Sequence, residues 1–433
     1  MSSYATVYMS DGRSVCAFRN GVDQLFFLLF TRNDWIELEG PDAWRLVNDT
    51  YGIDESDARV VGFRSTVGVL RDRLDVLGIT LTVVSSTLLF LARERARMLD
   101  EFEVGAALDA AVQDEWNKEI EFLRSLTWES WLSQIQKGLE AGMPVTRWGG
   151  REPLGTPSRL MSLWEDHDPR YQLRALLEAL PAEEEITLDL ADLADGGWID
   201  TSVDPRDEAE ALVSYTSQGG LLPIVLTEGR YDVEVLSAAL RLRRPHLAEY
   251  IKFPDFNVRN EGGASALRQT VRAFASAGIP NRVVALFDND TAARDVLRSI
   301  SDDDLPGNIR VTRLPELPLA VDYPTVGPQG EHTMNVNGLA TAIELFLGAD
   351  VLADGGALRP VVWGGYVNSM GAYQGEVSEK DAIHDRFAEK VRRASQTPDE
   401  MDDQDWTGLD LILDHLIGVL RDVVLPSGSP ING

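Results

Sequence analysis

VLTEGRYD at residues 225–232 and LFDND at residues 286–290 are the two segments that decide the fold of this chain. Each ends a continuous apolar run, residues 221–227 and residues 282–287, of the kind that forms strands buried on both faces of a parallel sheet. The carboxyl ends of parallel strands meet at one edge of the sheet, where sites form. We therefore expect the acidic residues that follow the two runs to lie close together.

The residues around these segments alternate between strand and helix patterns, which indicates a parallel sheet. We predict further strands at residues 250–253 and 309–314, and helices at residues 232–243, 265–277 and 291–300. A loop rich in proline and glycine is expected at residues 315–338. Two helices, residues 379–394 and 409–424, are expected to close the chain, with the acidic linker 397–405 between them.

The N-terminal part has a different pattern. Two short strand-like runs, residues 6–9 and 14–18, flank a turn, and apolar residues then recur at helical spacing from Val67 to about residue 180. The fold class predicted is α/β, with a parallel-sheet domain at residues 221–350. A mostly helical α+β region, residues 1–210, precedes it, and a helical extension, residues 351–433, follows it.

Composition limits the class of protein. A length of 433 residues suggests two or three domains, and the single cysteine, Cys16, excludes both an internal disulfide and a cysteine-based zinc site. The first ten residues lack the basic start and apolar core of a signal peptide, and the longest apolar stretch, residues 79–92, is shorter than a membrane span. We expect a cytoplasmic protein with no membrane partner.

The formal net charge of −30 argues against a nucleic-acid partner, because phosphate binding depends on Lys and Arg. The objection is not decisive. Part of the excess negative charge can come from carboxylates that hold metal. Local basic clusters, rather than the total charge, determine where phosphates bind.

The acidic residues at the strand ends are Glu228, Asp288 and Asp290, and Asp232 follows one turn into the next helix. Carboxylates this close repel one another and their pKa values rise unless a cation neutralises them. Oxygen ligands without His or Cys favour Mg²⁺ or Mn²⁺. Asp232 is either a further ligand or a helix cap, and the sequence leaves both open.

These two segments resemble the Toprim domain, which topoisomerases, bacterial primases, recombination mediators and overcoming-lysogenisation-defect nucleases share. The resemblance implies a Rossmann-like parallel-sheet domain in which a Glu and an Asp-x-Asp pair bind Mg²⁺ and assist phosphoryl chemistry. Carried over to this chain, the metal ligands and catalytic residues are Glu228, Asp288 and Asp290.

The resemblance extends to a bacterial group of Toprim proteins that carry an N-terminal HEPN/Toprim-associated domain. The matching segments are Ser3-Tyr4, Trp198, YPT at residues 323–325, GPQG at 327–330, NGLA at 337–340 and IELFL at 343–347. This group implies that Glu344 completes the metal shell. It also implies that Lys380, after the Tyr-Gln-Gly segment 373–375, contacts phosphate as a catalytic residue. The alternatives are a solvated helix face for Glu344 and an ordinary exposed lysine for Lys380.

The N-terminal region departs from HEPN ribonucleases, which use an Arg-x(4–6)-His motif. Its one histidine, His167, has no arginine five to seven residues before it. The pair Arg241 and His246 has the spacing, but it lies inside the Toprim-like part, where we interpret it as chance. We therefore expect residues 1–210 to regulate or bind a partner rather than cut nucleic acid.

The function expected is a Mg²⁺- or Mn²⁺-dependent nuclease that cleaves DNA or RNA, in bacterial defence against phages. We expect none of the other Toprim functions, because the chain lacks the modules that they need. These are a cysteine-rich zinc module, a separate domain with a nucleophilic tyrosine, and an ATPase with a phosphate-binding Gly-x(4)-Gly-Lys loop. The alternative is a non-catalytic or partner-activated subunit of a defence complex. A protein partner from the same system and a homo-oligomer both stay open.

Overall fold

The structure is a computed structural model. It describes residues 2–51, 54–105, 110–143, 145, 152–215, 222–254, 262–300 and 305–423. The chain forms two compact units, Met1–Thr216 and Ser217–Gly433. The expected α/β class is confirmed, because helices and strands are mixed and one sheet is parallel.

The first unit contains a five-stranded antiparallel sheet with the order β2-β1-β5-β4-β3. Apolar side chains such as Val7, Phe63 and Leu188 are buried in it. Only the first two strands are predicted from the sequence, and the other three are missed. The region from Val67 to about residue 180, predicted as mostly helical, is helical in its described parts. The strands are β1 Tyr4–Met9, β2 Ser14–Arg19, β3 Trp35–Glu39, β4 Arg59–Thr66 and β5 Glu185–Asp189.

Nine helices of the first unit lie within the residues that the structure describes. Their apolar faces are buried, with Trp131 and Trp164 among the fully buried side chains. They are α1 Pro41–Tyr51, α2 Val67–Val76, α3 Leu81–Gly105, α4 Ala110–Ser125, α5 Trp128–Glu140, α6 Pro157–Met161, α7 Pro169–Leu177, α8 Ala191–Asp195 and α9 Pro205–Tyr215.

The second unit is built on a three-stranded parallel sheet, as the sequence predicts. Its strands are β6 Ile224–Leu226, β7 Val283–Phe287 and β9 Ile309–Arg313, with β7 in the middle. The short strand β8, Asn289–Asp290, follows β7 directly. Residues 250–253, predicted as a strand, contribute only an isolated parallel bridge between Lys252 and Ile224.

Helices cover the parallel sheet, and Leu267, Val271 and Phe287 lie in the core between them. The helices are α10 Arg230–Arg243, α11 Ala264–Ala277, α12 Thr291–Leu297, α13 Ala349–Leu352, α14 Lys380–Gln396 and α15 Thr407–Asp422. The predicted helices of this unit are present, with ends that differ by up to three residues.

A second, four-stranded sheet with the order β11-β10-β15-β16 is not predicted from the sequence. The expected loop 315–338 contains the β10–β11 hairpin, and the expected helical extension after residue 350 begins with strands. Pairing there joins segments far apart in sequence, as between Thr325 and Val361, which no local pattern reveals. The four strands are β10 Tyr323–Gly327, β11 Gly330–Met334, β15 Val361–Val367 and β16 Ala372–Val377. Two short pairs lie outside this sheet: β12 Ala340–Thr341 pairs with β8, and β13 Ala353–Asp354 pairs with β14 Ala357–Leu358.

Within the described ranges, no single helix is long and apolar enough to cross a membrane. Helix α2 and residues Leu81–Glu101 taken together are long and apolar enough for a membrane span. The two parts are bent by 84° relative to each other. Both helices bury apolar side chains in the first unit, among them Leu70 and Leu88.

Helix α15 supports the short 3-10 helix Ile343–Phe346, and a glycine allows the close approach. A Cβ atom at Gly408 would lie 2.5 Å from the carbonyl oxygen and 2.8 Å from the Cα atom of Phe346. Since a methyl group has no room there, the backbone that carries Glu344 would have to move.

We predict that Gly408→Ala lowers the free energy of unfolding by roughly 1–3 kcal/mol through overpacking. Gly418→Ala on the same helix is the matched control, because nothing lies within 4 Å of a Cβ atom there. Its better helix propensity should raise stability by up to about 1 kcal/mol. Urea denaturation of the three proteins measures both, and equal stability of the two variants would contradict the packing argument.

Candidate metal centre

A hydrogen bond joins the carboxyl ends of β6 and β7. The backbone N–H of Asp288, directly after β7, donates to Oε1 of Glu228 at 2.9 Å. The start of α11 adds further donors to Glu228: the N–H of Gly263 donates to its carbonyl oxygen at 3.0 Å, and the N–H of Ala264 donates to its carboxylate. The start of α11 therefore holds both the backbone and the side chain of Glu228 in place.

Asp232 lies one turn into α10 and closes its first turn. Its Oδ2 atom accepts a hydrogen bond from the N–H of Gly229, the N-cap residue, at 2.9 Å. Since glycine has no side chain, only this half of a capping box is present. This direct contact supports the interpretation of Asp232 as a helix cap. The carboxylate also interacts electrostatically with Glu228, Asp288 and Glu344, so it belongs to the same acidic group.

Asp290 is the N-cap of α12 and is 8% exposed. Its Oδ1 atom accepts from the N–H of Ala293 at 2.7 Å, and its Oδ2 atom accepts from Nε2 of Gln374 on β16. Its own strand, β8, pairs with β12, where Asp290 lies opposite Ala340. Both carboxylate oxygens of Asp290 therefore have protein donors.

Glu344 enters the group from the 3-10 helix Ile343–Phe346 and is only 5% exposed. Its Oε1 atom lies 3.2 Å from Nζ of Lys380 and 3.5 Å from Nε2 of His384, both on α14. Its Oε2 atom is buried and has no hydrogen-bond partner among the described residues. The solvated-face alternative for Glu344 is thus wrong, because the side chain is buried against a lysine.

Burial and mutual repulsion raise the pKa values of three of the acids, Glu228, Asp232 and Asp288. Burial raises the pKa of Glu228 to about 7, and the charges of Asp290 and Asp232 add to the shift. Burial also raises the pKa of Asp232 to about 6. The pKa of Asp288 lies well above its usual range, through burial first and then the charges of the four other acids.

Lys380 is the cation inside this group. Burial opposes its charge, but the neighbouring carboxylates of Glu344, Glu376 and Asp288 outweigh burial and raise its pKa. The lysine is therefore firmly charged, and its Nζ atom also lies 3.5 Å from Glu376. An ordinary exposed lysine would have neither contact.

The structure thus brings all six predicted site residues into one group: Glu228, Asp232, Asp288, Asp290, Glu344 and Lys380. Their catalytic and metal-binding roles stay predictions. Among the residues described, no three His, Cys, Asp or Glu side chains are positioned to hold a metal ion as they stand. The acids instead accept hydrogen bonds from backbone N–H groups, Gln374 and Lys380.

The donor set nevertheless fits a hard divalent cation in its chemistry. It consists of carboxylate oxygens, which Mg²⁺ and Mn²⁺ prefer, and the buried Oε2 atom of Glu344 has no hydrogen-bond partner among the described residues. Burial, and then repulsion between the acids, raises the pKa values of Glu228 and Asp288, and a bound cation would offset that repulsion. Filling the site would require side chains such as Glu228 to exchange a protein donor for the ion.

Sequence reasoning missed three side chains of the group. His384 stacks on Tyr231 with ring centroids 3.5 Å apart, and Gln374 binds Asp290. The sequence could have indicated His384, because it lies four residues after Lys380 and therefore on the same helix face. Gln374 and Tyr231 lie within segments already singled out, but nothing local shows that they face the acids.

The pH dependence of stability tests the electrostatics without any metal. The folded state keeps a proton on Glu228 that the unfolded state releases between pH 4.5 and about 7, so the free energy of unfolding falls as pH rises through this window. Glu228→Gln keeps an acceptor for the N–H of Asp288 but does not titrate. In a chelating buffer we predict similar stabilities near pH 4.5 and a more stable variant at pH 7.5, by on the order of 2 kcal/mol.

Urea denaturation at several pH values measures this difference. Glu331→Gln is the matched control, because Glu331 is exposed on β11 and outside the acidic group. A stability difference between Glu228→Gln and wild type that stays constant from pH 4.5 to 7.5 would contradict the raised pKa of Glu228.

Comparison with known proteins concerns the first unit. Residues 1–212 match the family model described as HEPN/Toprim N-terminal domain 1. No curated protein and no solved structure matches the chain. The family indicates a nuclease-associated or defence-related role. The match supports a HEPN/Toprim N-terminal domain in this part of the chain, as the resemblance implies.

Proposed function

We propose that this protein is a Mg²⁺- or Mn²⁺-dependent nuclease whose second unit is a Toprim-type, Rossmann-like catalytic domain. The observation that carries the proposal is the position of Asp288. It follows the central strand of the parallel sheet, where burial and then the charges of four other carboxylates raise its pKa. A buried group of repelling acids at the carboxyl edge of a parallel sheet is costly to the fold and is typical of a functional site.

The proposed metal ligands are the five acids, Glu228, Asp232, Asp288, Asp290 and Glu344. A divalent ion there would orient water and offset the charge of a phosphodiester, which a site this acidic would otherwise repel. Glu228, at the end of β6 beside Asp288, is the candidate for either a metal ligand or the general base. Lys380, charged and held beside Glu344, is the candidate contact to the phosphate or the leaving group.

The substrate proposed is DNA or RNA. The HEPN/Toprim N-terminal domain supports a place in bacterial anti-phage defence, with residues 1–210 regulating the nuclease or binding a protein partner from the same system. His167, the one histidine of this part, stacks edge-on against Trp164 and Tyr171, and no arginine precedes it by five to seven residues as a ribonuclease motif requires.

The second candidate is a partner-activated or non-catalytic regulatory subunit. One observation favours it: most of the acids already have protein donors, and no ready ligand arrangement occurs within the described chain. Under this proposal a partner or a trigger would release Asp290 from Gln374, or the metal would never bind. Cleavage by the isolated protein distinguishes the two candidates.

We predict that wild type cleaves labelled nucleic acid in Mn²⁺ and that Asp288→Asn abolishes cleavage. The reason is that Asp288 is the acid on which the other four converge. Removing its charge relieves repulsion, so the fold should be retained, as circular dichroism can check. Glu331→Gln removes one charge from exposed β11 and should keep full activity. Single- and double-stranded DNA and RNA are the four substrates.

Two outcomes would redirect the proposal. Metal-independent RNA cleavage that persists in Asp288→Asn would assign the activity to the N-terminal domain instead. A wild type that cuts nothing, and whose melting temperature millimolar Mn²⁺ leaves unchanged, would support the regulatory subunit. A bound ion at one hundred times its dissociation constant should add roughly 2.7 kcal/mol to the free energy of unfolding.

Lys380 should affect the chemical step more than binding. Lys380→Ala removes the cation beside Glu344, and we predict a lower kcat with a smaller change in KM, because a transition-state contact acts mainly on kcat. Lys380→Arg keeps the charge and should restore part of the rate. Lys252→Ala, at an exposed lysine of the same unit, is the control. Unchanged kcat in Lys380→Ala would remove the lysine from the catalytic group.

A further inference from the structure

A polar cavity of about 490 Å³ lies in the second unit beside the acidic group, and no role has been assigned to it. It is bounded by the end of β9, the loop after it, α12 and α15. The side chains that matter for its chemistry are Asn289, Arg294, Thr312, Arg313 and His415. One carboxylate, Glu316, also lines it, on the exposed loop.

The two arginines of this cavity are paired with neutral oxygens. Arg294 donates to the carbonyl oxygen of Gly338 at 3.0 Å, and Arg313 donates to Oδ1 of Asn289 at 3.1 Å. Neither guanidinium has a carboxylate within ion-pair distance in the described part of the chain. Each hydrogen bond uses one of the five N–H donors of an arginine, so donors remain for a ligand.

Other arginines of the same unit show the contrast. Arg243 and Arg244 pair with Asp410 and Asp414 at 2.8 Å, so their charges are already neutralised. The chain has 70 acidic and 40 basic residues, which makes carboxylate partners abundant. Two guanidinium groups directed into one polar cavity without such a partner therefore indicate an anionic ligand.

The position of the cavity identifies the ligand further. Asn289 lies between Asp288 and Asp290, and its side chain contacts Arg313 rather than the acids, since side chains alternate along extended backbone. The cavity and the acidic group thus share one short stretch of chain. A strand whose phosphodiester is held at the acids would present a neighbouring phosphate to this cavity.

We propose that the cavity formed by Arg294, Arg313 and Asn289 binds a phosphate group, and that its source is the nucleic-acid strand next to the bond that is cut. The choice of nucleic acid rests on the proposed function. The phosphate chemistry rests on the cavity alone, and a free phosphate or mononucleotide would use the same donors.

The test measures binding of a labelled single-stranded oligonucleotide to the full chain. All variants are made in the Asp288→Asn protein, the parent, because a protein that does not cleave leaves the oligonucleotide intact. Adding Arg313→Gln should weaken binding roughly tenfold, since a charge-assisted contact is lost. It should also lower the slope of log K against log salt by about 0.7. Arg310→Gln, which removes the same charge from the same strand outside the cavity, should change binding less than twofold.

Competition distinguishes the sources of the phosphate. If inorganic phosphate or a mononucleotide binds the parent, Arg313→Gln should weaken that binding too. Oligonucleotide binding that depends on Arg313 assigns the site to nucleic acid, whereas Arg313-dependent binding of phosphate alone assigns it to a free ligand. Equal effects of Arg313→Gln and Arg310→Gln, or a parent that binds none of the probes, would overturn the inference.

This result is separable from the nuclease proposal. Arg313-dependent binding with an inactive wild type would keep the phosphate site and remove the nuclease. Cleavage that Asp288→Asn abolishes, together with normal binding by Arg313→Gln, would keep the nuclease and remove the phosphate site.

Discussion

The hydrogen bond from the N–H of Asp288 to the carboxylate of Glu228 is the contact on which the arrangement of the second unit's site depends. It joins the ends of two neighbouring parallel strands and thereby brings two acids together that would otherwise repel. Two further acids of the group have backbone donors of their own: Asp232 accepts from the N–H of Gly229, and Asp290 accepts from the N–H of Ala293. The N–H groups of Gly229 and Ala293 lie at the starts of α10 and α12. The same hydrogen bonds therefore position the acids and begin the two helices.

How well each part of the fold can be predicted depends on how far apart in the sequence its interacting residues lie. Strands β6 and β7 are predictable because a parallel strand buried on both faces is a continuous apolar run, and β9 is predictable from the strand-helix alternation. The four-stranded sheet is not, because its pairing joins distant segments such as Thr325 and Val361, and β11 is polar and exposed. Strand β5 pairs with segments more than a hundred residues earlier, and no local signal reports such a pairing.

The same reasoning applies to the site. Glu228, Asp288 and Asp290 are predictable because strand ends converge by geometry alone. Glu344 and Lys380 came from a resemblance, and the physical reason that they meet lies in the packing of α15 and α14 around a 3-10 helix, which the sequence does not show. The contacts of His384 and Gln374 likewise depend on tertiary packing. What sequence could not reveal is that protein donors already occupy most of the carboxylates.

The large negative charge of the chain and a phosphate-bearing partner are compatible if the charges are separated locally. At β8 a single residue provides that separation, because Asn289 faces Arg313 while the acids on either side of it belong to the opposite group. An amide at this position accepts from the guanidinium without neutralising it, whereas a carboxylate would form an ion pair and cancel the charge that faces the cavity. The neutral residue between two aspartates thus keeps a cationic cavity beside an anionic site, and the total of −30 does not determine the potential that a phosphate meets there.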